Sequence, residues 1–262
     1  MKILVTGHRG FIGSHMVTAL QADHEVTTFD WGEQFPGVFG LDWVIHMGAI
    51  SSTTERDIDK IMRQNYEFSV MLYNECKTFG VNLQYSSSAS VYGLISDFKE
   101  TSACDPKNPY AWSKYLFDRY VQQRVPAAIV QGFRYFNVYG SGEDHKGTQA
   151  SPHTQFKNQA IATGKVKLFE NSKNYQRDFV SVERVIEIHK KFLDINTSGV
   201  FNVGTGTAVS FHSVAEMICK TYGATIELVP MPRELEHSYQ TYTCADLTLL
   251  TKTLNEPIST EL

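Results

Sequence analysis

The sequence of 262 residues has few of the features that mark metal-binding and disulfide-stabilised proteins. It holds nine histidines but no HExxH or similar ligand spacing, so we expect no histidine-based metal site. Its four cysteines form no CxxC pair, which excludes a zinc knuckle and a redox CxxC centre. These four are Cys76, Cys104, Cys219 and Cys244. We therefore expect reduced thiols and no metal.

The chain also lacks an excess of positive charge and any long apolar run. With a net charge of -4 at pH 7 and a pI near 6.1, it offers no basic surface to nucleic acid or to an anionic membrane. No stretch approaches the length of a transmembrane helix, and the apolar start of MKILVTG is too short for a signal peptide. These absences predict a cytoplasmic protein that binds a small molecule, not nucleic acid or a membrane.

Short apolar runs alternate with segments of helical periodicity, which indicates an α/β fold with a mostly parallel sheet. The predicted strands are residues 2–6, 25–29, 42–47, 81–87 and 127–133. The predicted helices are residues 14–22, 58–79 and 110–123. After residue 140 the sequence becomes glycine-rich and polar. This change predicts a sheet domain over residues 1–140 and a smaller substrate lobe over 141–262, with some later segments returning to the sheet.

A glycine turn follows the first predicted strand. Gly7, Gly10 and Gly13 stand three apart in TGHRGFIGSH, just before a predicted helix, and Asp30 ends the second strand. Glycines allow the backbone to approach a pyrophosphate at the helix N-terminus, and an acid at Asp30 can bind an adenosine ribose. This context predicts a Rossmann-type, doubly wound, dinucleotide-binding sheet; the alternative is a tight turn with no ligand.

Asp30 also favours NAD over NADP, because its carboxylate repels a 2'-phosphate. The sequence has no lysine or arginine between Arg9 and Arg56 that could bind that phosphate. Arg9 itself lies within the glycine turn and could reach a 2'-phosphate, so NADP stays open as the alternative.

Two Tyr-x-x-x-Lys pairs, Tyr73 with Lys77 and Tyr110 with Lys114, have the spacing that places both side chains on one helix face. Spacing alone does not choose between them. Tyr73 lies in a stretch typical of helix packing. Tyr110 follows a strand that ends in SSSASVYG, where Ser88 can join the pair in a ligand crevice.

The glycine turn, the serine cluster and NPYAWSK together resemble the extended short-chain dehydrogenase/reductase family, whose members modify nucleotide-diphosphate sugars on a bound nicotinamide cofactor. Within it the chain is most similar to the ADP-L-glycero-D-manno-heptose 6-epimerases. The further stretches that carry this resemblance are SSTTE (51–55), GFRYFNVYG (132–140), HKG (145–147), KLFE (167–170), RDFV (177–180) and ADLT (245–248). The resemblance also implies a homodimer.

The chemistry of such enzymes explains these residues. Removing a hydride from a sugar carbinol requires a base for the hydroxyl proton, and a neighbouring cation favours the phenolate form of a tyrosine. The resemblance implies that Tyr110 is the base, that Lys114 lowers its pKa and binds the nicotinamide ribose, and that Ser88 bonds the reacting oxygen. It places Lys146 as the second acid/base; the alternative is a solvated lysine in a polar loop.

The resemblance carries further positions over to this chain. The cofactor groove would be lined by Phe11, Ile12, Trp31, Gly48, Ala49 and Asn65, although Asn65 could equally cap a local turn. The substrate would be surrounded by Asn137, Thr148, Phe169, Glu170, Asn171, Ser172, Arg177 and Tyr239. Arg177 suits a diphosphate because of its guanidinium fork, but beside Asp178 it could also form a surface ion pair.

The chain departs from the family pattern at three places. Residues 31–40 are too few for the further helix and strand that the family places there, which predicts that the strand ending at Asp30 lies at or near a sheet edge. Trp31 or Phe35 would then replace missing contacts. The chain stops at EPISTEL, about where the family has a closing helix, and Ser238 stands where the heptose epimerases usually carry an arginine.

The residues at the end of the fourth predicted strand also bear on other reactions of this family. Ala89 and Ser90 occupy the positions where a 4,6-dehydratase carries an Asp-Glu pair, which disfavours dehydration. The strand-end cysteine of the GDP-fucose synthases is also missing. The sequence thus predicts a nucleotide-diphosphate-sugar epimerase, with a 4-epimerase, a heptose dehydrogenase/reductase or a non-catalytic dinucleotide sensor as alternatives.

Overall fold

The computed structural model describes residues 1–232 and 239–256, in which strands and helices alternate along the chain. The strands are β1 (Lys2–Thr6), β2 (Glu25–Phe29), β3 (Trp43–His46), β4 (Asn82–Ser88), β5 (Val130–Tyr135), β6 (Asn137–Tyr139), β7 (Lys165–Phe169), β8 (Gln176–Ser181), β9 (Gly199–Val203), β10 (Ala208–Ser210) and β11 (Thr225–Val229). The helices are α1 (Phe11–Leu20), α2 (Ile58–Ile61), α3 (Phe68–Phe79), α4 (Pro109–Gln122), α5 (Pro152–Thr163), α6 (Val182–Phe192), α7 (Phe211–Tyr222) and α8 (Thr248–Leu254).

Six strands form a fully parallel sheet in the order β2-β1-β3-β4-β5-β9. The five strands predicted for this sheet are confirmed, with ends that differ by up to three residues. The predicted Rossmann-type α/β fold is confirmed as well. The strand β2 lies at the edge, as the short connection after Asp30 predicted, because none of the described strands pairs with its outer side.

The sheet is buried on both faces. In β1, Leu4 packs toward the side of α3 and α4, whereas Ile3 and Val5 pack toward α1 and α6. This alternation follows from the two-residue period of a strand. A strand covered on both faces favours a continuous apolar run, such as Ile3, Leu4 and Val5 in β1.

The helical pattern over residues 58–79 is confirmed, but the run is not uniform. Residues Met62–Glu67 form a π-helical segment between α2 and α3. Such segments widen a helix by one residue and are frequent at functional sites. Here the segment turns Asn65 inward, where it is 1% exposed.

Beyond residue 140 the chain contributes strands to all three sheets of the described structure. A three-stranded sheet has the order β10-β8-β6, and β11 pairs with β7. The strand β9 returns to the large sheet beside β5, and α6 packs against α1. The division at residue 140 stays a prediction. Among the described residues, no helix combines the length and the apolarity that a membrane span requires.

Candidate active site

A cleft of about 640 Å³ opens at the carboxyl ends of the parallel strands. It brings together residues that lie far apart in the sequence: the glycine turn after β1, the serines at the end of β4, the first turns of α4 and the loop before α5. The predicted site residues that line it are Gly7, Gly10, Phe11, Ile12, Gly13, Ala49, Ser88, Tyr110, Lys114, Asn137 and Lys146.

The glycine turn packs too closely for side chains at Gly7 and Gly13. Gly7 has a φ of +73°, and a Cβ there would lie 2.5 Å from the backbone of Gly48. A Cβ on Gly13 would lie 2.0 Å from the carbonyl oxygen of Gly7. A Cβ on Gly7 or Gly13 would therefore collide with backbone atoms, and only glycine lets the turn pack this closely beside the N-terminus of α1, where phosphates can bind. These residues fit a dinucleotide.

Asp30 and Trp31 lie at the edge of the site, next to this turn. The Asp30 carboxylate accepts a hydrogen bond from the backbone N–H of Arg9 at 3.2 Å and another from that of Trp31 at 2.8 Å. The ring centre of Phe68 lies 5.4 Å from that of Trp31 and 5.8 Å from that of Phe35. The acid that would bind the ribose is thus fixed to the glycine turn by a backbone bond.

Tyr110 lies in the first turn of α4. The helix begins there because Asn108 accepts a hydrogen bond from the N–H of Ala111 and Pro109 occupies the first helical turn. Tyr110 faces the cleft together with Ser88. Burial raises the pKa of Tyr110, and Ser88 acts in the opposite direction.

Lys114 follows one turn later and is 5% exposed. Its Nζ donates a hydrogen bond to the carbonyl oxygen of Ser86 at 2.8 Å. Burial lowers the pKa of Lys114 to about 8, while Asp118 acts against this shift. Lys114 also adds to the effect of burial on His46, whose pKa falls to about 3.

Neither His46 nor Ser86 was predicted as a site residue from the sequence. His46 bonds Thr6 Oγ1 at 2.6 Å and Ser69 Oγ at 2.8 Å, beneath the cleft. The position of His46 at the end of a predicted strand was the only signal for it. Ser86 acts through its backbone carbonyl, which no side-chain pattern indicates.

The alternative pair, Tyr73 with Lys77, takes no part in the cleft. Tyr73 is 1% exposed and packs its ring against Tyr120 at 5.6 Å within the core beside α3 and α4. Lys77 is exposed. The structure therefore assigns this pair to helix packing.

Lys146 lines the cleft from the loop before α5. Its Nζ lies 5.2 Å from the ring centre of Phe11 and 3.9 Å from Oε2 of Glu143. Burial lowers the pKa of Lys146, and Glu143 opposes this shift. Glu143 was not predicted as a site residue, because an acid three residues before a lysine in a polar loop is typical of a solvent-exposed ion pair.

Gly48 and Asn65 support the cleft from behind its lining. The N–H of Gly48 donates to Thr6 Oγ1 at 3.2 Å, which holds it against the glycine turn. The side-chain amide of Asn65 bonds the N–H of Ile50 at 2.8 Å, the carbonyl oxygen of Ile50 at 2.9 Å and Ser113 Oγ at 3.1 Å. Asn65 thus anchors the segment around Ala49 to α4.

A second cavity of about 280 Å³ shares Pro152 with the main cleft. Three predicted substrate residues line it: Phe169, Ser172 and Tyr239. Glu170 and Asn171 lie in the exposed part of the loop after β7. The side chain of Thr148 and the whole of Ser238 lie outside the described residues, as do residues 257–262.

Arg177 lies beside this second cavity and is 8% exposed. Its guanidinium is 5.2 Å from the ring centre of Phe211 and 5.6 Å from that of Tyr239. It donates hydrogen bonds to the carbonyl oxygens of Gln176 and Gln240. The Asp178 carboxylate instead accepts hydrogen bonds from the backbone N–H groups of residues 205, 206 and 245. The alternative of a surface ion pair between Arg177 and Asp178 is therefore wrong.

Comparisons with known proteins agree with this geometry. The model of the NAD dependent epimerase/dehydratase family matches residues 3–204. The ADP-L-glycero-D-manno-heptose-6-epimerase of Helicobacter pylori is 26% identical, with a TM-score of 0.87 over 98% of this chain and 90% of that one. The UDP-glucose 4-epimerase of Thermus thermophilus, solved with NAD, is 26% identical, with a TM-score of 0.80 over 96% and 92%. A UDP-N-acetylglucosamine 4-epimerase from Methanobrevibacter ruminantium shares the fold, with a TM-score of 0.89 and 21% identity over 99% and 93%.

Proposed function

Because the chain belongs to the NAD dependent epimerase/dehydratase family, we propose that it epimerises a nucleotide-diphosphate sugar by transient oxidation of a carbinol to a ketone. One observation carries this proposal: two candidate proton carriers from separate segments, Tyr110 and Lys146, line the same cleft as the glycine turn. A reaction that removes hydrogen from one face of a carbon and returns it to the other needs two such groups.

The first half-reaction uses Tyr110, Lys114 and Ser88. A nicotinamide ring held in this cleft would supply a hydride acceptor and, in the reduced form, a hydride donor. Tyr110 takes the proton of the sugar hydroxyl as the C–H bond breaks, and Ser88 donates a hydrogen bond to the same oxygen. The Lys114 ammonium, one helical turn away, favours the phenolate form of Tyr110 against the effect of burial.

The second half-reaction uses Lys146. Once the ketone has turned over within the cleft, the Lys146 ammonium would protonate the carbonyl oxygen as the carbon regains a hydride on its opposite face. A lysine whose pKa is lowered by burial gives up its proton more readily than a solvated one. The proton then held by Tyr110 passes to solvent and Lys146 is reprotonated, so both groups recover their starting protonation states. No net oxidation occurs, because the carbon that loses a hydride regains one.

The second cavity suits the nucleotide diphosphate. It shares the lining residue Pro152 with the main cleft, it is lined by Phe169 and Tyr239, and Arg177 lies beside it. Aromatic rings can stack on a base, and a guanidinium fits a diphosphate. We propose a heptose 6-epimerase as the finer assignment, supported by the resemblance of HKG and its neighbours. A 4-epimerase or a heptose dehydrogenase/reductase is the runner-up.

The test is to incubate the purified protein with ADP-, GDP-, UDP- and CDP-linked hexoses and heptoses, following stereochemistry by NMR and nicotinamide reduction by absorbance. A new epimer without net NADH supports the proposal. Net NADH with a keto product assigns a dehydrogenase instead. Unchanged sugars with retained NAD binding assign a dinucleotide sensor.

Three variants make this test specific to the site. We expect Tyr110→Phe and Lys146→Met each to abolish epimerisation while NAD still binds. The matched control is Tyr73→Phe, which removes the same hydroxyl from the other Tyr-x-x-x-Lys pair and leaves turnover unchanged. Equal turnover in all three would contradict the assigned roles. The predicted cytoplasmic location and homodimer stay predictions.

A further inference from the structure

The short connection after β2 begins with a turn that returns toward the glycine turn. The N–H of Glu33 donates to the carbonyl oxygen of Asp30 at 3.1 Å, and Gly32 has a φ of +95°. A positive φ at the third position of such a turn favours glycine. The Glu33 side chain completes the loop, because its Oε2 accepts the N–H of Asp30 at 2.7 Å. Glu33 is therefore fixed directly beside the acid that would bind the ribose.

The second oxygen of the Glu33 carboxylate pairs with the glycine turn. Arg9 Nη2 forms an ion pair with Glu33 Oε1, and His8 Nε2 lies 3.7 Å from the same oxygen. The Arg9 side chain is 64% exposed and that of Glu33 28%. Arg9 is the arginine that could otherwise turn toward a 2'-phosphate. It is the only lysine or arginine in residues 9–55.

We infer that Glu33 is a specificity-determining residue that makes the protein select NAD over NADP. It does so in two ways: it holds the Arg9 guanidinium, and it adds a second carboxylate beside Asp30 where a 2'-phosphate would lie. Like charges placed together weaken binding, whereas a released guanidinium would bind phosphate strongly. The inference rests on the family's dinucleotide cofactor and is independent of which sugar is the substrate.

The test measures the dissociation constants of NAD and NADP separately, by calorimetry, for the wild-type chain and for Glu33→Gln. Glutamine keeps an oxygen that can accept the N–H of Asp30, so the turn is preserved. The matched control is Glu25→Gln, which removes an exposed carboxylate from the start of β2. We expect Glu33→Gln to raise the affinity for NADP relative to NAD by about tenfold, and Glu25→Gln to leave the ratio unchanged.

A double variant, Glu33→Gln with Arg9→Ala, separates the two contributions. If Arg9 supplies part of the gain, the NADP affinity of the double variant falls below that of Glu33→Gln. An unaltered ratio in Glu33→Gln, with NAD binding and the circular dichroism spectrum intact, overturns the inference. A gain that is fully kept without Arg9 overturns the part of the inference that concerns the ion pair.

Discussion

The Nζ of Lys146 lies 3.9 Å from a carboxylate oxygen of Glu143, whose side chain is completely buried. That carboxylate accepts hydrogen bonds from the N–H of Gly140 at 3.1 Å, from the N–H of Ser151 at 2.6 Å, and from the hydroxyls of Ser151 and Thr154. A buried charge is tolerated only when it is paired and hydrogen-bonded in this way. Glu143 thus fixes both ends of the loop that carries Lys146 and sets its electrostatic surroundings.

Replacing Glu143 with glutamine should shift the pH dependence of turnover. The carboxylate raises the pKa of Lys146, so its removal lets burial lower that pKa further, and the limb of the pH profile set by Lys146 moves to lower pH. The side-chain NH2 group of glutamine would also face the N–H of Ser151, and this N–H would lose its acceptor, which costs about 1 to 3 kcal/mol of stability. The measurement is a pH profile of the turnover number beside a denaturant titration. Asp144→Asn, an exposed neighbour, is the control, and an identical profile in both variants contradicts the prediction.

Replacing Lys114 with methionine should abolish turnover and stabilise the fold by about 1 to 3 kcal/mol at pH 7, because a desolvated ammonium is removed. The folded-state pKa of about 8 lies below the ordinary value of 10.5. The protonated lysine therefore destabilises the folded chain fully below about pH 8, and this penalty disappears as the pH rises to about 10.5. Urea titrations at pH 7 and pH 10 measure it. Lys77→Met, which removes an exposed lysine, should show no such gain, and a loss of stability in Lys114→Met at pH 7 would refute the argument.

Replacing Asn65 with leucine should destabilise the protein by about 2 kcal/mol, because the half-buried N–H and carbonyl oxygen of Ile50 lose their partner. NAD affinity should fall as well, since the segment around Ala49 loses its anchor to α4. Thermal unfolding and NAD titration measure the two effects. Asn74→Leu changes an exposed asparagine of α3 in the same way and serves as control. If the two variants are equally stable, the anchoring role is wrong.

Replacing Gly13 with alanine tests packing against helix propensity. Alanine favours a helix interior by about 1 kcal/mol over glycine. However, its Cβ would lie 2.0 Å from the carbonyl oxygen of Gly7. We expect a net destabilisation of about 1 to 3 kcal/mol and weaker NAD binding, because the glycine turn must open. Thr18→Ala, on the exposed face of α1, should not destabilise the chain, and a stabilised Gly13→Ala variant would show that the turn can relax.

The sequence predicted those features of the site that depend on neighbours along the chain. Gly7, Gly10 and Gly13 identify a strand-to-helix turn, and at Gly7 and Gly13 the backbone has no room for a Cβ. Tyr110 and Lys114 share a helix face because of their spacing. The short connection after Asp30 placed β2 at the sheet edge, since too few residues follow it to build another strand.

The tertiary structure decided which of these residues meet and in what surroundings. It separated two Tyr-x-x-x-Lys pairs of equal spacing, because Tyr73 packs in the core while Tyr110 reaches the cleft. It also paired Arg9 with Glu33 and buried Glu143 beneath Lys146. A local pattern reports on turns and helix faces, where contacts are a few residues apart. The direction and the burial of a charged side chain depend on packing between distant segments, and these determine its partner and its pKa.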